Sequence, residues 1–295
     1  MKIAGENIIY SFSAVHKPVA IVPAGQTLEF ETKDCFCNQL RNPEDTIESL
    51  DWDRVNPATG PVFIEGAEPG DLLKVKIEEM VLDQKGTVVS GEGFGTLGHL
   101  LKGSHTRIVN IENGHALFAD NIKLPLRKMI GVIGVAPEKD DINTGTPGTH
   151  GGNMDNTMIT EGATLYFPVK VPGALFALGD VHAVMGDGEI GVSGLEIPAK
   201  IRVTVDVVKN YDLPCPLLEN EEVWSFIASE ATLDETAVKV TENMFNFLKA
   251  KVKLTEPELV MLMSLVGDMQ ICQVVDPMKT LRFNMPKKFL PPIVL

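Results

Sequence analysis

From the first residue to about Asn210, apolar positions alternate with polar ones more often than they recur every three or four residues, and Gly and Pro punctuate the runs. That pattern predicts many short strands. The clearest run is Lys200 to Val207, where Ile201, Val203, Val205 and Val207 take one face and Lys200, Arg202, Thr204 and Asp206 take the other. Leu73 to Glu78 repeats it. Both runs predict strands with one buried and one wet face, as antiparallel sheets have. Pro23-Ala24-Gly25, Pro69-Gly70-Asp71 and Pro172-Gly173-Ala174 each precede such a run, so each predicts a turn feeding a strand.

Near Pro214-Cys215-Pro216 the period changes. Leu233, Ala237, Val240, Met244 and Phe247/Leu248 recur at steps of four and three, after a Thr232 that has Glu235 three residues on. This is an amphipathic helix opened by a capping box. Thr255-Glu256-Pro257-Glu258 repeats the start signal and Gly267 supplies a stop, so a second helix lies between them. A strand from about Met269 to Val275 follows, and the tail with Phe283, Met285 and Leu290 returns to pair with it. Met261, Met263 and Met269 are read as packing residues. The chain thus reads as α+β, predominantly β. Residues 1–213 form an antiparallel sandwich or barrel-like body, of one or two β subdomains, that carries the chemistry. Residues 214–295 form a C-terminal α+β unit with two helices, which buttresses the body or contributes to a subunit interface.

Composition narrows the function. Asp and Glu number 40 against 26 Lys and Arg, a net charge of −14, which argues against nucleic acid or an anionic membrane as partner, since both need a basic footprint. A small uncharged or cationic substrate suits this surface better. The longest apolar stretch is far too short to span a bilayer, and Met1 to Glu6 does not open a signal peptide. Four cysteines, Cys35, Cys37, Cys215 and Cys272, are too few for a disulfide scaffold in a chain of this length, so the expected setting is reduced and cytoplasmic. Cys35-Phe36-Cys37 is C-x-C without a second pair, which argues against a zinc ribbon.

Residues able to bind a metal or move protons concentrate between His150 and Glu189. In Pro147-Gly148-Thr149-His150-Gly151-Gly152-Asn153-Met154-Asp155, clustered glycines let the backbone approach a ligand closely, and a His, an Asn and an Asp share the loop. Asn and Asp taken singly would be turn caps; the His beside them raises the functional reading. In Gly179-Asp180-Val181-His182-Ala183-Val184-Met185-Gly186-Asp187-Gly188-Glu189, Asp180 and His182 fall on one face of a strand, and the Asp-Gly turn presents Glu189. They suit two ligands of one cation, His182 as ligand with Asp180 orienting it, or a structural hydrogen-bonded pair. Gly93-Phe94-Gly95-Thr96-Leu97-Gly98 matches a dinucleotide fingerprint, yet no helix follows it, so a mobile loop over a pocket is the better reading. No nucleophile elbow exists, and nothing marks a cysteine as activated. Asp34 with Asn38-Gln39 ends an alternating run and is equally consistent with a plain turn.

Those two clusters, together with Gly60-Pro61-Val62-Phe63-Ile64-Glu65-Gly66-Ala67-Glu68-Pro69-Gly70-Asp71, closely resemble the acetamidase/formamidase family, in order along nearly the whole chain. The resemblance implies hydrolysis of small aliphatic amides to carboxylate and ammonia, a β-rich fold with an α+β C-terminal part, divalent-metal binding, and a homodimer or higher homo-oligomer. It assigns His150, Asn153 and Asp155 to a glycine-rich active-site loop, and Asp180, His182 and Glu189 to the facing strand and turn. The Asp34 region resembles the family's N-terminal polar motif. Met185 departs from the resemblance, which implies a polar residue there, and leaves one wall of the pocket apolar.

On this basis Asp34, His150, His182 and Asp155 are expected to hold one or two divalent ions. Mixed imidazole and carboxylate ligands favour zinc, while a carboxylate-only subsite would favour calcium or magnesium. Glu189 is the expected proton carrier, with Asp180 and Asn153 in the catalytic set and Gly151 and Gly152 against substrate. Two rival readings are a non-catalytic β-rich module holding a structural ion and a hydrolase of another small C–N compound.

Overall fold

The computed structural model describes residues 1–295 and is built mainly of strands, with two α-helices. A nine-stranded and a six-stranded sheet dominate, with a four-stranded and a two-stranded sheet beside them. Most neighbouring strands are antiparallel, as the alternation predicts; Lys2–Ile3 beside Thr27–Thr32 and Ala20–Pro23 beside Ala58–Glu65 pair in parallel. The strand Ala199–Val208 runs in the nine-stranded sheet between Thr27–Thr32 and Leu72–Leu82. Ile201, Val203 and Val205 are buried on it while Lys200, Arg202 and Asp206 are exposed. All three Pro-Gly turns lead into strands: Thr27–Thr32, Leu72–Leu82 and Phe176–His182.

The two large sheets face each other across a core of 35 buried residues. Phe30 of the nine-stranded sheet meets Phe176 of the six-stranded sheet edge to face, with ring centroids 5.6 Å apart. At roughly 25 cal/mol per Å² of apolar surface removed from water, this interior is the main source of stability. No helix is long and apolar enough to cross a membrane.

The helices form where capping and periodicity place them. Helix α1, Leu233–Lys249, opens on the reciprocal Thr232/Glu235 capping box and buries Val240, Met244, Phe247 and Leu248. Helix α2, Glu256–Val266, opens on Thr255 with Glu258 and buries Leu259 and Met263. It stops at Gly267, where the backbone turns extended (φ −84°, ψ 140°), and a side chain at that position would overlap the Phe283 ring and the Met263 carbonyl. Of the three methionines expected to pack, Met263 does, whereas Met261 and Met269 are exposed. The strands Leu217–Glu219, Val223–Glu230, Lys279–Pro286 and Asp268–Gln273 continue the nine-stranded sheet beyond residue 213, and the helices cover them over a second core of 17 buried residues. In that core Phe247 meets Trp224 and Phe226, both at centroid distances of 5.6 Å.

Phe247→Ala is therefore expected to cost about 3–5 kcal/mol, the range for emptying a buried aromatic site. Val238→Ala, on the exposed face of α1, should change stability by less than about 0.5 kcal/mol. Denaturant unfolding of the two variants checks this; equal losses would contradict the packing.

Candidate active site

The six-stranded sheet positions the chemistry. Phe176–His182 lies between Met129–Gly134 and Ala58–Glu65, and Gly151–Asn153 adds to the outer side of Met129–Gly134. Asp180, Asp155 and Glu189 all sit in the left-handed region, with φ of +53°, +43° and +46°. Such conformations cost non-glycine residues energy and persist where surrounding structure enforces them. Gly131 on the neighbouring strand makes the convergence possible: a Cβ there would lie 2.5 Å from Asp155 Oδ1 and closer still to Asp180 Oδ2. Gly194 does the same for His182, whose Nδ1 would be 2.5 Å from an added Cβ.

His182 is the hub. Its Nε2 donates to Asp180 Oδ1 at 3.2 Å. Glu196 Oε2 is 3.1 Å away, out of line with the N–H, and Asp155 Oδ1 is 3.8 Å away. Asp155, Asp180, Glu189, Glu196 and His182 are all buried. Four carboxylates around one imidazole would, if all were ionised, leave three negative charges uncompensated even with the ring protonated, so burial favours their neutral forms. Burial, reinforced by Asp180, pushes the Asp155 carboxyl up to about 7. Burial pushes Glu196 up to about 8 against the opposing pull of His182. Glu189 is raised well above the carboxylate range by burial and then by Asp155. Burial lowers the affinity of His182 for a proton, but Glu196 and Asp180 outweigh it and hold the imidazole well above its usual range.

Both oxygens of Asp155 and Oε2 of Glu196 are buried without a hydrogen-bond partner. Buried polar atoms are nearly always paired, so orphans converging on one point mark a place for a ligand. Ligand atoms of Asp155, His182 and Glu189 lie within 4.8 Å of one another, as do those of Cys35, Asp180 and Glu196. The donors present therefore fit a divalent cation, with carboxylate, imidazole and thiol available.

Of the residues singled out from the sequence, Asp155, Asp180, His182 and Glu189 come together. Asn153 sits at the same cavity and donates through Nδ2 to Asp276 Oδ2 at 3.0 Å. Gly151 and Gly152 supply the positive-φ backbone that seats Asn153. Asp34 is buried nearby, which raises its carboxyl to about 6, but its Oδ1 accepts from the Asn38 N–H at 2.6 Å. It belongs to neither ligand group; its neighbour Cys35 does. His150 belongs to neither ligand group either. Its ring packs edge-on against Phe12 at 5.1 Å, and burial among uncharged groups lowers its pKa to about 4.

Sequence reasoning missed Glu196, Cys35 and Asp276. For Glu196 a signal existed, a single charge inside the apolar run Leu195-Glu196-Ile197-Pro198. Asp276-Pro277 looks like any turn. It lies in the C-terminal region to which no chemistry was assigned, yet it lines the cavity.

The cavity has a volume of about 160 Å³. Cys35, Asn153, Asp180, Glu189, Glu196 and Asp276 form its polar side, and Phe36, Val89, Phe94 and Val192 are among its apolar walls. At this cavity Trp52 and Phe94 stack with planes 7° apart. The glycine-rich segment 93–98 supplies Phe94 and is followed by the single 3-10 turn Gly98–Leu100, with no α-helix. Its Thr96 N–H donates to the Ile190 carbonyl at 2.8 Å, which fastens it to the turn that presents Glu189. A larger hollow of about 710 Å³ lies between the helices and the strand Lys279–Pro286, and none of the ligand groups reaches it.

Strands and loops from Gly151 to Glu196 that converge buried acids on one imidazole, inside a two-layer β body with a helical flank, define a β-rich α+β protein with a buried acid–imidazole cluster. The chain belongs to the acetamidase/formamidase family, whose model matches residues 14–146 and 139–253. It is 42% identical to an acetamidase from Bacillus halodurans, with a TM-score of 0.96 over 98% of both chains. It is 47% identical to a predicted acetamidase/formamidase from Thermoanaerobacter tengcongensis, with a TM-score of 0.96 over 98% of this chain and 96% of that one. A formamidase from Methylophilus methylotrophus is 25% identical over 268 residues, 68% of this chain and 65% of the relative. The chain spans less than two thirds of the length of the curated relatives it matches.

Gly131→Ala should disperse the two carboxylates and cost about 1–3 kcal/mol through overpacking. Calorimetric titration with zinc should then find the binding weakened or absent while the circular dichroism spectrum stays native. Unchanged zinc binding would contradict the role given to Gly131.

Proposed function

We propose that the protein hydrolyses short aliphatic amides, formamide or acetamide in kind, to a carboxylate and ammonia with the help of a divalent cation, zinc by preference. The observation that carries this reading is the cluster of orphaned acid oxygens around His182, beside a cavity of about 160 Å³ that Asp180, Glu189 and Glu196 line. That volume corresponds to about five waters, enough for an amide of four or five non-hydrogen atoms.

Asp155 and His182 are the residues that would hold the cation, His182 through Nε2, the ring nitrogen that faces Asp155, Asp180 and Glu196. A bound divalent cation lowers the pKa of water and polarises an amide carbonyl. Glu189 lines the cavity beside them and is positioned to take a proton from water and pass it to the departing nitrogen, which leaves poorly as an anion. Asn153, held by Asp276, offers its carbonyl oxygen, a buried acceptor without a partner, to the substrate amide N–H. The apolar walls take the short acyl group. Because so small a substrate brings little remote binding energy, acceleration must come from these oriented groups.

The same reading includes a cytoplasmic setting, in keeping with four cysteines that are all free. It also includes self-association, for which the exposed Met261 and Leu265 on α2 offer apolar surface.

Ammonia release over formamide, acetamide, propionamide and benzamide, measured on zinc-loaded protein, tests the proposal. Glu189→Gln should keep its metal and lose about 10²–10⁴-fold in kcat, whereas His182→Ala should lose metal and turnover together. Metal-replete protein inert on every amide would overturn the reading in favour of a module with a structural ion. Phe94→Ala should raise kcat/KM for propionamide relative to acetamide by about 10-fold or more, since one added methylene is worth about 1–3 kcal/mol in a pocket; an unchanged ratio would remove Phe94 from the acyl wall.

A further inference from the structure

The turn that follows Thr27–Thr32 carries Cys35 to the cavity, where its sulfur and one oxygen each of Asp180 and Glu196 lie within 4.8 Å of one another. Cys35 is 6% exposed, Asp180 2% and Glu196 1%. Glu196 Oε2 has no hydrogen-bond partner. A free buried cysteine normally acts as a small hydrophobe, and two of the other three here have ordinary surroundings. Cys215 accepts from Asn243 Nδ2 at 2.9 Å, and Cys272 lies 3.8 Å from Arg282 Nη1. Cys35 faces two carboxylates instead. Those neighbours also make it a poor nucleophile, because a reactive thiolate needs an electropositive setting. A cation reverses both objections, since it draws thiolate and carboxylates to itself.

We propose that Cys35, Asp180 and Glu196 form a second cation subsite in the same cavity, in which Cys35 binds as the thiolate and biases the pocket toward a thiophilic ion such as zinc. It adjoins the group Asp155, His182 and Glu189, and His182 Nε2 stands between them, 3.2 Å from Asp180 Oδ1 and 3.1 Å from Glu196 Oε2. On binding, the S–H bond is exchanged for a sulfur–metal bond, the proton leaves to solvent, and nothing is oxidised or reduced. Calcium and magnesium, which take oxygen ligands, gain nothing from the sulfur, so selectivity is built into one side chain. The proposal rests on the reading that this pocket holds a divalent cation.

Titration of metal-depleted, full-length protein with cobalt(II), followed by absorption, tests it separately from activity. The expected spectrum has a near-ultraviolet thiolate-to-cobalt charge-transfer band that is lost in Cys35→Ser and kept in Cys215→Ser. Zinc affinity of Cys35→Ser should fall by more than the roughly 10–100-fold that loss of an outer partner of a metal ligand costs. Visible cobalt bands without the thiolate band would overturn the role of Cys35 and leave the Asp155–His182–Glu189 reading standing. No cobalt binding at all would overturn both, and a band that survives in Cys35→Ser would assign the sulfur elsewhere. Should Cys35→Ser fail to fold, alkylation of the wild-type chain read by peptide mass spectrometry decides. Zinc should protect Cys35, and equal alkylation with and without zinc would overturn the subsite.

Discussion

Buried acids without matching basic groups are the constraint on which the rest of the molecule turns. Asp155, Asp180, Glu189 and Glu196 crowd one imidazole, and several of their oxygens have no hydrogen-bond partner. Removing an ion from water costs several kcal/mol even after relaxation, and like charges in a low dielectric add to that. Three of these acids also hold left-handed backbone, at about 1–3 kcal/mol each. No packing benefit explains such a cluster. The divalent cation proposed above would, because it would turn each repulsive pair into shared coordination.

The fold supplies what holds the acids in place before any ion arrives. Gly131 and Gly194 clear the space that the carboxylates and the imidazole fill. Arg282, almost wholly buried on Lys279–Pro286, donates to Asp187 Oδ2 at 2.5 Å and to Asn156 Oδ1 at 2.9 Å. One side chain thus braces both the turn before Glu189 and the loop after Asp155. The Gly188 N–H donates to the Cys272 carbonyl at 2.8 Å, and Asp276 meets Asn153 across the cavity. The strands after residue 213 are therefore part of the site's scaffold as well as its neighbours, which continuity of the nine-stranded sheet makes mechanically direct.

Much of this was legible from residue order. Alternation marked Ala199–Val208 and Leu72–Leu82 because each strand has one face in the core, and the reciprocal Thr/Glu boxes marked both helices because the signal is local. Asp180 and His182 were found because a strand places alternate residues on one face. The rest depended on contacts across long separations. His150 sits in a motif rich in ligands, yet its ring turns to Phe12. Asp34 looked like a ligand, yet it caps its own turn through the Asn38 N–H and delivers Cys35. Glu196 reaches His182 through an isolated bridge that no periodicity encodes. Spacing along a chain finds residues that share an element, and cannot find those that meet from different loops.

The apolar walls and small volume of the cavity complete the picture by limiting what can approach the acids. Everything in this view depends on a cation at the point where the orphaned oxygens converge. Diffraction from crystals grown with zinc, with anomalous scattering recorded at the zinc edge, measures that directly. A peak about 2.0–2.2 Å from His182 and Asp155 is expected. A cavity with no anomalous peak, its acid oxygens bonded only to water, would contradict it.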